Sequence, residues 1–169
     1  MDKAMQDALN EQIKDELFSG YMYLSMSAHF ENGNLPGFAH WMRLQAQEEL
    51  EHAMRLFDYV NRRGGQVFLK AVDQPPVEFG SVLSVFEQAL EHERLVTGLI
   101  HKLYELAAEK GDWATQQELQ WFIAEQVEEE DSAGRAVDQL RMADDDSAAL
   151  LMLDQQFAAR TPEGEGEPE

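Results

Sequence analysis

Residues 82–107 read VLSVFEQALEHERLVTGLIHKLYELA, and one stripe through them decides the fold. Val82, Phe86, Ala89, Glu93, Val96, Ile100, Leu103 and Ala107 follow one another at alternating steps of four and three. That spacing keeps returning to one side of a helix and to neither face of a strand. The stripe is apolar except at its middle, where Glu93 stands between Ala89 and Val96. A carboxylate taken out of water is costly, so it must be protonated, paired with a base or bound to a metal ion.

The same spacing recurs in three other segments. One carries Leu9, Ile13, Glu16, Gly20, Tyr23, Ser27 and Phe30, and the next carries Phe38, Met42, Gln45, Glu49, His52, Leu56 and Tyr59. The last carries Leu119, Phe122, Gln126, Glu129, Ala133, Ala136 and Leu140. Gly, Pro and Asn punctuate the chain between them, so four long helices are expected at about residues 3–31, 36–63, 81–111 and 113–142. Pro36 suits a first helical turn and Ser81 an N-cap. Asp144 to Ser147 offer caps for a short fifth helix over roughly residues 148–159. Strand-like alternation is nearly absent, and the class is all-α.

Connection lengths set the topology. The turns after the first and third helices are too short for anything but antiparallel hairpins. Residues 66–80 contain Pro75-Pro76 and span about 45 to 50 Å if extended at ~3.3 Å per residue. A helix of ~28 residues is about 42 Å long. This segment can therefore cross the bundle from end to end, which makes the second and third helices parallel. The last stretch, residues 161–169 (TPEGEGEPE), has no apolar side chain and is expected to be disordered.

Composition narrows the function. The 169 residues include no cysteine, which excludes disulfides, thiolate metal sites and cysteine nucleophiles and leaves oxygen and imidazole as metal ligands. The first residues lack the apolar core of a signal peptide, and no stretch approaches the roughly 20 apolar residues of a membrane span, so a cytoplasmic protein with no membrane partner is expected. Thirty-three acids against thirteen Lys and Arg give a net charge of -20. Such a surface repels nucleic acid and concentrates cations.

Each helix places a carboxylate near the middle of its apolar stripe, and antiparallel packing can bring Glu16, Glu49, His52, Glu93 and Glu129 to one level. The set holds four carboxylates and an imidazole but no Lys or Arg. Four facing negative charges need a counter-charge, and two divalent cations supply it. Glu49 and His52 lie one turn apart on one face. Tyr23 faces the same level, where it is a core tyrosine or a redox side chain. Glu48, Glu125 and Glu128 lie just off the stripe and offer a more exposed metal position sharing Glu129, or simply a solvated acidic face.

Four motifs now resemble one family: LNEQIKDELFSGYMYLSMS (residues 9–27), AQEELEHAMRLFDYV (46–60), EHERLVTGLI (91–100) and LQWFIAEQVEEE (119–130). Together they resemble the non-haem bacterial ferritins of the ferritin-like superfamily, over the chain up to about Arg160. The resemblance implies a ferritin-like four-helix bundle with a long crossover between helices two and three, over residues 1–160. It further implies a ferroxidase centre in which Glu16, Glu49 and His52 hold one iron and Glu49, Glu93 and Glu129 the other, with Glu49 bridging and with Tyr23 and Gln126 close by. A third iron position would use Glu48, Glu125, Glu128 and Glu129. Such proteins oxidise Fe(II) with dioxygen or hydrogen peroxide and store the product in homo-oligomeric shells of twenty-four subunits. Leu150, Leu151, Leu153 and Phe157 match the family's fifth helix at the fourfold axis, and their amphipathic pattern suits burial between subunits or, equally, folding back on its own bundle. Related bacterioferritins place a haem-ligating Met where Leu50 stands, and a second Glu-x-x-His where this chain has Gln126-x-x-Glu129, so haem is not expected. Tyr23 and Trp121 are candidates to relay an extra electron. A dinuclear oxidase or peroxide scavenger that stores nothing, and an acidic scaffold or cation buffer, are the alternative readings.

Overall fold

The computed structural model describes residues 1–144 and 146–161. Among them are five helices: α1 (Lys3–Asn32), α2 (Pro36–Arg62), α3 (Val82–Glu109), α4 (Trp113–Ala143) and α5 (Ser147–Phe157). Their ends fall within a residue or two of the positions read from punctuation. The tail expectation concerns residues outside this range, apart from Thr161. No helix among the described residues is long and apolar enough to cross a membrane.

Local chemistry explains where the helices begin. Asp2, Ser81, Asp112 and Asp146 each accept a hydrogen bond from a first-turn N–H of α1, α3, α4 and α5, satisfying donors that have no partner inside the helix. The turn after α1 takes its left-handed residue at Asn34, φ 57°, and not at Gly33; a short amide side chain tolerates that region.

α2 starts differently. Leu35 provides no side-chain cap; instead Asp154, far along the chain in α5, accepts from the Phe38 N–H at 2.9 Å. A carboxylate at a helix N-terminus also meets the positive end of the helix dipole. Gly37 makes this approach possible, because a Cβ there would lie 1.6 Å from the Asp154 carbonyl oxygen.

The crossover runs along α1. Near one end Asn10 bonds Gln66 and Phe68, and near the other Ser25 and His29 meet the carbonyls of Pro76 and Gly80. α3 therefore starts where α2 starts, as the contact of Phe38 with Phe86 shows. The two helices are parallel, while α1 and α4 run the other way.

Every stripe residue named above is buried except Val82, which is half-buried. The apolar core is nonetheless split. One cluster gathers around Phe30, Phe38, Trp41, Phe86 and Phe157, and the other around Leu9, Leu56, Ile100, Leu119 and Phe122. Between them lies the level of Glu16, Glu49, Glu93 and Glu129, all buried.

The Asp154 cap yields a stability prediction. Asp154→Ala should cost about 1 to 2 kcal/mol, the usual worth of an N-cap. Gly37→Ala should cost more, because it collides with α5 backbone. Thermal midpoints and limited proteolysis check this: both variants should melt earlier, and Gly37→Ala should be cut sooner near α5.

Candidate metal centre

Glu16 comes from α1, Glu49 and His52 from α2, Glu93 from α3 and Glu129 from α4. One turn past Glu16, Gly20 lets α1 approach α2 closely: a Cβ there would sit 3.2 Å from the Ala46 carbonyl oxygen and 3.5 Å from Glu49 Cβ. One ligand atom each from Glu16, Glu49 and His52 lies within 4.8 Å of the others. His52 Nδ1 is 3.6 Å from Glu49 Oε2. Two hard carboxylates and an imidazole suit a first-row divalent ion.

The remaining carboxylates are held by neutral donors. Tyr23 donates its hydroxyl proton to Glu93 Oε1, and Gln126 Nε2 donates to Glu93 Oε2 at 3.2 Å. Gln45 Nε2 donates to Glu129 Oε2 at 2.6 Å, and Gln12 Nε2 to Glu16 Oε1 at 2.9 Å. Glu16 Oε2 and both Glu49 oxygens receive no such donor among the described residues, although the Glu16 and Glu49 carboxyls are placed to share a proton. No Lys or Arg among the described residues forms an ion pair with Glu16, Glu49, Glu93 or Glu129. Buried carboxylate oxygens left without donors or a counter-ion fit a cation better than any partner that the described residues offer.

Electrostatics agree. Burial pushes Glu16 up to about 7. Burial first, and like charges second, also raise Glu49 and Glu129, and burial raises Glu93. Tyr23 is raised further above its ordinary range by burial and by Glu93, so its phenol keeps the proton that it donates. Burial, helped by Arg55, lowers His52 to about 4, which leaves a neutral imidazole with a lone pair for a metal. Its ring packs edge-on against Trp121 at 5.4 Å and Phe122 at 6.0 Å.

A cavity of about 220 Å³ reaches His52 from outside and is lined by Glu48, Glu51, Trp121 and Glu125 among others. The structure thus brings Glu48 and Glu125 to one cavity, while Glu128 is exposed on α4 and is not part of its lining. Glu48 is paired with Arg160 at 3.0 Å. Sequence reading missed the supporting roles of Gln12, Gln45 and Arg160 and the place of Glu51 in the cavity wall. Gln12 could have been found, since it lies one turn before Glu16; Arg160 lies beyond α5 and carried no periodic signal.

A helical bundle with a buried carboxylate and histidine cluster between two apolar clusters defines a class of metal-binding bundle protein, and comparison with known proteins narrows it. The family model described as a ferritin-like domain matches residues 6–143. A bacterial non-heme ferritin of Bacteroides fragilis is 44% identical over 156 residues, 92% of this chain and 97% of that protein. One from Staphylococcus aureus is 35% identical over 161 residues, 95% of this chain and 97% of that protein. An open-pore ferritin from the hyperthermophilic archaeon Archaeoglobus fulgidus superimposes with a TM-score of 0.94 at 50% identity, covering 95% of this chain and 99% of that one. The chain belongs to the ferritin-like family, alongside the non-haem ferritins.

The raised acids predict an unusual pH response of the metal-free protein. Each binds its proton more tightly folded than unfolded, where carboxyls titrate near about 4.3. Their contribution is complete below that pH and is lost as pH rises through the folded values, about 7 for Glu16. His52 and His92, both lowered to about 4, act oppositely, but only up to about pH 6.5. Between about pH 6.5 and 8 the thermal midpoint of the metal-free protein should therefore fall. Zn(II) should raise it more at the higher pH, since binding must displace fewer protons there.

Proposed function

We propose that the chain is the subunit of an iron-storage ferritin and acts as a ferroxidase. The observation that carries this reading is the level of four buried carboxylates and one neutral imidazole, in which Glu16 Oε2 and both Glu49 oxygens have no donor among the described residues beyond the proton those two carboxyls can share. Iron is the substrate. One Fe(II) binds at Glu16, Glu49 and His52, and a second at Glu49, Glu93 and Glu129, with Glu49 shared. Each ion gives up one electron; dioxygen takes the pair with two protons and leaves as hydrogen peroxide. Hard oxygen ligands favour Fe(III) over Fe(II) and so drive the oxidation.

The supporting side chains have distinct tasks. Tyr23 and Gln126 hold Glu93 from its two oxygens, and Gln12 holds one oxygen of Glu16 so that the other faces the metal. Trp121, edge-on to His52 and half-exposed beside the cavity, and Tyr23 are candidates to relay electrons from the iron ions to dioxygen. Glu48 and Glu125 form the outer iron position, with Glu128 at its exposed margin and Glu129 shared with the inner one. No haem takes part.

Storage follows from assembly. α5 exposes Leu151 and Met152, and the α1 side with the crossover exposes Tyr21, Leu24 and Val77. Apolar surface of this kind is suited to burial between copies. The proposed assembly is a homo-oligomeric shell of twenty-four subunits in the cytoplasm, with the oxidised iron laid down as mineral inside.

The test is to add Fe(II) anaerobically to metal-free protein at about two ions per subunit, admit oxygen, and follow Fe(III) absorbance, oxygen uptake and particle size together. Rapid oxidation in a large particle, slowed at least about a hundredfold in Glu93→Ala, is the expected result; loss of a transition-state charge contact typically costs that much. Binding without oxygen uptake would reduce the protein to a cation buffer. Rapid oxidation by a small oligomer that forms no mineral would make it an oxidase without storage.

A further inference from the structure

Arg160 lies just past α5, yet its side chain reaches back to α2 and the rim of the metal centre. Its Nη2 donates to both oxygens of Glu48, at 3.2 and 3.0 Å, and its Nη1 donates to Gln45 Oε1. Gln45 uses its other end, Nε2, to donate to Glu129 Oε2 at 2.6 Å. One guanidinium thus fixes an outer carboxylate directly and an inner one through an amide, whose orientation it sets by claiming the oxygen. It is also held: it lies 4.9 Å from the centroid of the Trp41 ring, and the Arg160 carbonyl oxygen accepts from His40 Nε2 at 2.9 Å. The ion pair is mostly shielded, with the Arg160 and Glu48 side chains 17% and 14% exposed.

We propose that Arg160 is a tethered counter-cation for the outer iron position: it occupies Glu48 while no metal is there, and a metal ion takes Glu48 only by displacing it. The proposal rests on the reading of Glu48 as an iron ligand. Its physical basis is competition for one carboxylate. A guanidinium with two charge-assisted hydrogen bonds in a shielded setting interacts far more strongly than an exposed lysine would, so separating the pair weakens net metal binding. The inner ligands form no ion pair with Lys or Arg among the described residues, and Arg160 acts only on Glu129, through Gln45 and at a distance, so the inner centre is weakened less. The outer position is then the weaker and more exchangeable one, suited to passing iron through and not to keeping it. Arg160 is here a positioning residue, because it acts through Glu48 and Gln45.

The experiment is Zn(II) titration calorimetry on the whole metal-free protein, comparing the parent with Arg160→Gln, Glu48→Gln and the double variant. The expected result is that Arg160→Gln tightens the weakest resolved class about tenfold, the equivalent of ~1.4 kcal/mol, and changes the tighter classes, which it reaches only through Gln45 and Glu129, by clearly less. Glu48→Gln should remove that weak class, and the double variant should match Glu48→Gln. If Glu48→Gln removes the class but Arg160→Gln leaves its affinity unchanged or weaker, the counter-cation role is overturned while the outer position stands. If Glu48→Gln removes no class, both fall. Should Arg160→Gln lower the thermal midpoint, Arg160→Lys, which keeps the charge but not the two-point hold, replaces it and should show a smaller tightening of the same class.

Discussion

The structure turns on four carboxylates buried at one level of a helical bundle. Taken from water without counter-charge, such groups raise their proton affinity until they are neutral or until a cation arrives. Glu16, Glu49, Glu93 and Glu129 all move in that direction, and neutral donors, not bases, surround them. An arginine in the layer would stabilise the empty bundle more, yet would leave no reason for a metal to enter. Glu49, with no donor among the described residues on either oxygen beyond the proton it can share with Glu16, lies buried at a cost in stability.

That cost shapes the rest of the fold. The polar level divides the core into two apolar clusters, so each end of the bundle must hold together by itself. One end stacks Phe30, Phe38, Trp41, Phe86 and Phe157 in tilted and edge-on contacts. The other adds a hydrogen-bonded corner in which Arg63, Asp112, Thr115 and the Tyr59 hydroxyl join the end of α2 to the start of α4. The carboxylate level is held between two ends that are each tied by their own contacts, an arrangement that keeps side-chain geometry fixed from both sides.

What the sequence revealed follows the same division. The stripe was legible because helical periodicity is a local property: from Leu9 to Leu140 the chosen positions are buried, and Val82, at the first turn of α3, is the half-buried exception. Glu93 was legible as a member of the buried polar level because it interrupts that stripe. Topology was legible because residues 66–80 are long enough to cross the bundle and the other connections are not. Asp154 as the cap of α2, Gln45 as the donor to Glu129 and Arg160 as the partner of Glu48 were not legible. The first and last depend on how α5 docks and the second on how α2 faces α4, and both are decided by packing between elements far apart in the chain. Gly37, where a Cβ would meet the Asp154 carbonyl oxygen, is where that packing leaves its mark on the sequence.

α5 matters more to the metal centre than its size suggests. It meets α2 through Asp154 on the Phe38 N–H and through Phe157 against Phe38 and Trp41. Arg160, a few residues on, then reaches Gln45 and Glu48 one to two turns further along the same helix. These contacts set the angle of α5 and with it the position of the guanidinium. A helix that is mostly exposed in the single subunit, with Leu151 and Met152 outward, is therefore anchored at one face by the cap and stack and at its end by the ligand rim. Any contact that moves α5 also moves the charge facing Glu48, through eleven helical residues and the short segment that follows them.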